Sequence, residues 1–165
     1  MKRNYREIVD TLPHSMKRPK QHENCPTLEQ AVAYINSMDF SLIRGKHTSD
    51  DRLLCRQWSA IEIEVGIQYY KNFLFLNKKH IENYPVIPPS LETDEIWHHH
   101  ILDTRQYTKD CDNIFGYYFH HYPYFGTRGQ VDKSNLGTAF EITQQLHEIE
   151  FGCRIVSIWG DEIDL

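Results

Sequence analysis

The chain has 165 residues, with 23 acidic side chains against 18 Lys and Arg, a formal net charge of -5 and a hydrophobic fraction of 40%. That length suits one domain able to bury its own core, and the acidic balance argues against a nucleic-acid partner. No apolar run reaches the roughly 18 residues that span a bilayer, and the polar N-terminus lacks the apolar stretch of a secretion signal, so the expectation is a cytoplasmic protein with no membrane partner.

The four cysteines, Cys25, Cys55, Cys111 and Cys153, stand far apart with no C-x-x-C pair. Neither a zinc ribbon nor a redox motif is read from them, and reduced thiols are the default.

Residues 1–26 hold Pro13, Pro19 and Pro26 among charged residues such as Lys17, Arg18 and Lys20. They read as a basic, proline-containing arm with at most one short helix near Tyr5 to Leu12. Residues 27–165 read as a single helical domain. Thr27 followed by Gln30 forms a capping box that starts a helix burying Leu28, Ala31, Ile35 and Met38. The polar stretch from Asp39 to Asp51, with Gly45 in it, is a second short helical piece or a loop.

The longest periodic segment places Leu54, Trp58, Ile61, Val65, Tyr69, Phe73 and Leu76 on one stripe, which predicts a central helix. Glu62 and Glu64 on that helix are secondary ligand candidates. Pro85, Pro88 and Pro89 then force an extended connection. It leads into residues 88–126, which hold His98, His99, His100, His120 and His121, five of the ten histidines.

Ser90 or Thr93 can cap a helix running to about Leu102, on which Asp94 and His98 stand four apart on one face. A carboxylate one turn from an imidazole can share a divalent cation with it or orient the ring. Successive helical residues are turned by about 100°, so His98 and His100 point to different sides of an unbroken helix. Asp103 and Gln106 form a further capping box, with Leu102 and Tyr107 as its hydrophobic staple. The helix after it runs toward Phe115, with Gly116 as its stop. A break at Gly116 is what allows His121 to return to His98, and without it the histidines divide into two groups. The aromatics Trp97, Phe115, Tyr117, Tyr118, Phe119, Tyr122, Tyr124 and Phe125 read mostly as core packing.

At these residues the chain resembles the glycine-rich domain-containing protein-like family, whose pattern reads here as Asp94, Trp97, His98, His100, Tyr107, Asp110, Cys111, Phe115 and Gly116. The likeness extends upstream to Tyr70, Lys71, Asn72, Phe73 and Leu74, and downstream to Thr143, Phe151 and Gly152. The chain's eight glycines make no glycine-rich tail, so the resemblance implies the compact core of that family alone.

A last helix from about Leu136 to Glu150 is expected to bury Phe140, Thr143, Leu146 and Ile149, with His147 as a packing histidine. The terminal run from Arg154 to Trp159 reads as a short strand or an extended strap. The acidic Asp161, Glu162 and Asp164 read as a solvated end. The whole is a mainly α, single-domain helical bundle.

The expected chemistry is a divalent metal, zinc or iron, held by Asp94 and His98 with His121 and with His100 or His120 as further ligands. Tyr107 and Asp110 are the proton-transfer candidates for a small-molecule substrate. The competing expectation is a metal-free module that meets a protein partner through an exposed aromatic patch.

Overall fold

The computed structural model describes residues 2–13, 25–50 and 55–159, with the backbone alone described for 2–4. Lys17, Arg18, Pro19 and Lys20 of the expected arm, Leu54 of the expected stripe, and Asp161, Glu162 and Asp164 lie outside the described residues. Among the described residues there are seven helices: α1 (Lys2–Thr11), α2 (Leu28–Ser37), α3 (Ser41–His47), α4 (Ala60–His80), α5 (Leu91–Leu102), α6 (Thr104–Ile114) and α7 (Gln130–Phe151). The mainly α architecture expected from the periodicity is what the chain forms.

Helix α1 buries Tyr5 and Ile8, with Leu12 buried just beyond its end, and packs against α7. The Tyr5 hydroxyl donates to the Val86 carbonyl and accepts from the Val86 N–H at 2.9 Å, which ties α1 to the proline-rich connection. Helix α2 begins at the expected box: Thr27 Oγ1 accepts from Gln30 N at 3.2 Å, and Gln30 Oε1 accepts from Thr27 N at 2.8 Å. Two N–H groups that the first turn leaves free are satisfied in this way. Ala31 and Ile35 are buried as expected, while Leu28 stays exposed. The stretch after Asp39 forms the short helix α3, started by Asp39 Oδ1 accepting from Ser41 N at 2.8 Å.

The central helix α4 differs from its expected form in both start and phase. Ser59 and Glu62 make a capping box, so Trp58 falls before the helix and Glu62 is spent on its N-terminus. Glu64 pairs with Arg44. The buried side is Ile63, Ile67, Tyr70, Phe73 and Leu74, whereas Ile61 on the expected stripe is exposed. The physical reason is that α4 serves two cores. One is shared with α2, α5 and α6, and the other brings Leu76 to Tyr5, Ile142 and Leu146. A helix that is apolar around much of its girth has no single stripe to read.

Gly66 sets how closely α4 meets its neighbours. A Cβ there would lie 2.4 Å from Trp58 Cζ3 and 2.9 Å from Ile96 Cδ1, so only glycine admits both rings and chains at that depth.

Asp103 ends α5 and starts α6, its Oδ1 accepting from Gln106 N at 3.3 Å. The reciprocal half of the expected box is absent because the Gln106 amide donates to Asp110 instead, at 2.7 Å. The expected staple is also absent, since Leu102 is exposed while Tyr107 is buried.

Helix α7 starts earlier than the polar sequence around Gly129 predicts. The Asp132 carboxylate in its first turn accepts from the backbone N–H of Gly126 at 2.7 Å and of Arg128 at 3.2 Å, folding the loop onto the helix start. The buried face is Ala139, Ile142, Thr143 and Leu146; Phe140 is half-buried and Ile149 exposed, so the expected register is off by part of a turn. His147 is the satisfied packing histidine that was expected. Asn72 Nδ2 lies 3.0 Å from its Nε2 and the Cys153 carbonyl 2.6 Å from its Nδ1.

The terminal run is a strap, and no strand occurs among the described residues. Its backbone is held by side chains: Ile155 N donates to Gln144 Oε1 at 2.7 Å, and Ile158 N donates to Glu92 Oε1 at 2.9 Å. No described helix is long and apolar enough to cross a membrane.

Candidate metal centre

Ser90 caps α5 by accepting from Thr93 N at 3.3 Å. The helix then carries Asp94 and His98 one turn apart, with His98 Nε2 3.6 Å from Asp94 Oδ2. The third member comes from the chain beyond α6. Gly116 adopts φ +75°, and its N–H bonds back to the carbonyls of Cys111 and Asp112 at 3.2 and 3.1 Å. This left-handed turn ends α6 and reverses the chain.

The returning segment is pinned along α5. Phe119 stacks on Trp97 with centroids 5.0 Å apart and on Phe115 at 4.6 Å. Its N–H donates to Cys111 Sγ at 3.4 Å, and its carbonyl accepts from the Tyr107 hydroxyl. Two residues on, His121 Nε2 arrives 2.8 Å from Asp94 Oδ1. Its ring centroid lies 4.4 Å from that of Trp97 and 4.6 Å from that of His98.

Asp94, His98 and His121 thus offer one ligand atom each, all within 4.8 Å of one another. A tetrahedral ion with bonds near 2.0 Å needs donor atoms roughly 3.3 Å apart. His121 Nε2 is 2.8 Å from Asp94 Oδ1 and His98 Nε2 is 3.6 Å from Asp94 Oδ2, so each imidazole faces its own oxygen of the carboxylate. The His121 side chain is 13% exposed and that of His98 is 49%, so the cluster is anchored inside and open on one side. It borders a cavity of about 230 Å³ whose wall includes Val86, Pro88, Trp97, Phe125 and Leu136.

The other expected site residues are not gathered there. His120 is exposed, lines the same cavity and packs its ring on Tyr118 at 4.8 Å. His100 is buried on another side of α5, with Tyr70 Oη 2.7 Å from Nδ1 and Asp110 Oδ2 2.8 Å from Nε2, so both ring nitrogens are taken. Asp110 also accepts from Tyr34 at 2.6 Å and from Gln106 at 2.7 Å. Burial tends to raise the Asp110 carboxyl, but the hydrogen bonds from His100, Tyr34 and Gln106 outweigh it and hold the group below its ordinary value.

Tyr107 is equally committed: its oxygen accepts from Trp97 Nε1 at 2.9 Å while its hydroxyl donates to the Phe119 carbonyl. Burial pushes its ionisation well above the ordinary range. The Cys111 thiol is pushed up to about 11, chiefly by burial, which removes the thiolate character a nucleophile or a ligand would need.

A family model matches residues 33–150, a span that holds all three clustered residues. The chain belongs to the UCP032817-like family. This corrects the resemblance to the glycine-rich domain-containing protein-like family, which rested on short runs such as Trp97, His98 and His100, whereas the UCP032817-like match extends from α2 into α7. No curated protein and no solved structure matched the chain. The family's description carries no activity, so the chemistry rests on the residues themselves.

The expected ligand set did not include Glu95, His99 or His47. Glu95 and His99 repeat the four-residue spacing of Asp94 and His98 one position later, a signal that was present. His47 sits in a polar stretch with no such signal, and only the fold buries it.

Proposed function

We propose that the protein binds a divalent metal, zinc or iron, through Asp94, His98 and His121. Two imidazoles and one carboxylate suit both ions and leave coordination positions for water or a small molecule. The observation that carries this reading is the convergence of His121 on a carboxylate 27 positions earlier in the chain, beside a helical neighbour at ligand spacing.

The half-exposed His98 gives the open side of the centre, and the adjoining cavity has mainly apolar walls with His120 at its edge. A bound ion there would act as a Lewis acid or lower the pKa of a bound water, and the cavity would admit a small substrate. Asp94, His98 and His121 would hold the ion, and Trp97, packed on His121, fixes that imidazole's orientation.

The metal-free interaction module is the weaker reading, because its aromatics turn inward. Phe115 and Phe119 are each 1% exposed, Tyr117, Tyr118, Tyr122 and Phe125 are half-buried, and Tyr124 is exposed.

Competition with a chromogenic zinc chelator tests the reading on the wild type and on Asp94→Asn and His98→Ala. A drop of about 10-fold or more in affinity in each variant is expected for loss of one of three protein ligands. Equal affinity in all three proteins would remove these residues from any metal site.

A further inference from the structure

Helix α5 carries a second set of ligands on a different face. Glu95 and His99 repeat the spacing of Asp94 and His98, displaced by one residue and therefore turned by about 100° around the helix. On that face they meet His47, the last residue of α3. His47, Glu95 and His99 each offer one ligand atom, and these atoms all lie within 4.8 Å of one another. His47 Nδ1 is 3.7 Å from Glu95 Oε1, and the two imidazole centroids are 4.5 Å apart.

His47 is 0% exposed, and neither of its ring nitrogens finds a hydrogen-bond partner among the protein atoms. His99 Nδ1 is buried and lacks one as well. Buried imidazole nitrogens are ordinarily paired, because water is lost and nothing replaces it. The fold nevertheless holds His47 firmly. Its carbonyl accepts from Trp58 N at 2.8 Å, and its ring packs edge-on to Trp58 at 5.2 Å. The Trp58 indole in turn donates to Glu95 Oε1 at 3.2 Å, orienting the carboxylate.

We infer that His47, Glu95 and His99 form a second divalent-metal site, independent of the first and of the class that takes zinc. Two imidazoles with one carboxylate are a donor set for zinc and its transition-metal neighbours rather than for magnesium or calcium. Burial, reinforced by His99 and Lys46, lowers His47 to about 4, and burial with Lys46 and His98 lowers His99. Lys46 and Arg56 bring positive charge near the cluster, which disfavours weakly held hard cations more than an ion bound through strong nitrogen bonds. With His47 enclosed and a tryptophan holding Glu95, this centre has the character of a structural site that clamps α3 to α5, in contrast to the open one at Asp94.

Equilibrium dialysis against zinc tests this on the full chain, comparing wild type, His98→Ala, His99→Ala, Glu95→Gln and the His98→Ala, His99→Ala double variant. Circular dichroism establishes that each is folded; Glu95→Gln keeps an acceptor for Trp58, and His99 is only half-buried, so neither substitution opens a core cavity. Two zinc equivalents in the wild type, one in each single-histidine variant and in Glu95→Gln, and none in the double variant are expected. One equivalent that survives His98→Ala and is lost in His99→Ala keeps this site and removes the Asp94 centre. A wild type that binds no zinc, or a stoichiometry unchanged by both His99→Ala and Glu95→Gln, overturns the inference. Cobalt loaded into His98→Ala supplies an independent signature: a visible ligand-field band is expected there and should vanish in the double variant.

Discussion

His121 Nε2 lies 2.8 Å from Asp94 Oδ1, although 27 positions separate the two residues. The contact exists because α6 stops at Gly116 and the chain doubles back along α5. The geometry of this cluster is therefore set by a turn that contains none of its three members.

Gly116→Ala should expose that dependence. The residue sits at φ +75°, and a Cβ would lie 3.0 Å from Cys25 Sγ and 3.1 Å from the Cys25 backbone. The left-handed conformation alone costs an L-residue roughly 1–2 kcal/mol. Urea unfolding should register at least that loss, and zinc affinity should fall although no ligand has changed. Undiminished stability would mean that the turn is not held as described.

Gly66→Ala should be worse tolerated than an ordinary Gly to Ala change in a helix, which usually helps. The new methyl would meet Trp58 at 2.4 Å and Ile96 at 2.9 Å. Overpacking of this kind costs roughly 1–3 kcal/mol. A thermal melt showing equal or greater stability would show that Trp58 is free to move aside.

Tyr107→Phe separates a structural role from a chemical one. The substitution leaves the Trp97 indole N–H and the Phe119 carbonyl without their partner, a loss of roughly 1–3 kcal/mol. Zinc binding at Asp94, His98 and His121 should persist in the folded variant. Loss of binding with stability intact would instead place the hydroxyl in the site.

Asp110→Asn carries the pH dependence. The Asp110 carboxyl is held below its ordinary value of 3.8, so the native state favours the charged form more than the unfolded chain does. A depressed carboxyl stabilises fully above about pH 4, and that contribution drains away as pH falls through its lower folded value. The stability gap between wild type and Asp110→Asn should accordingly be widest near neutrality and shrink below about pH 4, as read from denaturant midpoints across pH. A gap that grows toward acid would contradict the assigned direction.

Several of these relations were legible in the chain itself. Thr27 with Gln30 marked the start of α2 and Gly116 the end of α6, because caps are local chemistry. Asp94 and His98 were legible as a pair since helical geometry alone brings them together. What tertiary packing decides was not. The phase of α4 was misread because two cores share that helix, which left Ile61 and Val65 outside. Which of His98, His99 and His100 faced which neighbour also depended on packing: Tyr70 and Asp110 claim His100, while α3 supplies His47 to meet His99. Gln106 illustrates the same limit, since a side chain expected to close a capping box found a buried carboxylate instead.

The most direct measurement is an anomalous difference map from crystals of the wild-type protein grown with zinc, recorded on both sides of the zinc absorption edge. The account predicts a peak roughly 2.0–2.2 Å from an Asp94 carboxylate oxygen and from one ring nitrogen each of His98 and His121. A fully ordered Asp94, His98 and His121 with no peak among them, at zinc concentrations that saturate the protein in solution, would contradict it.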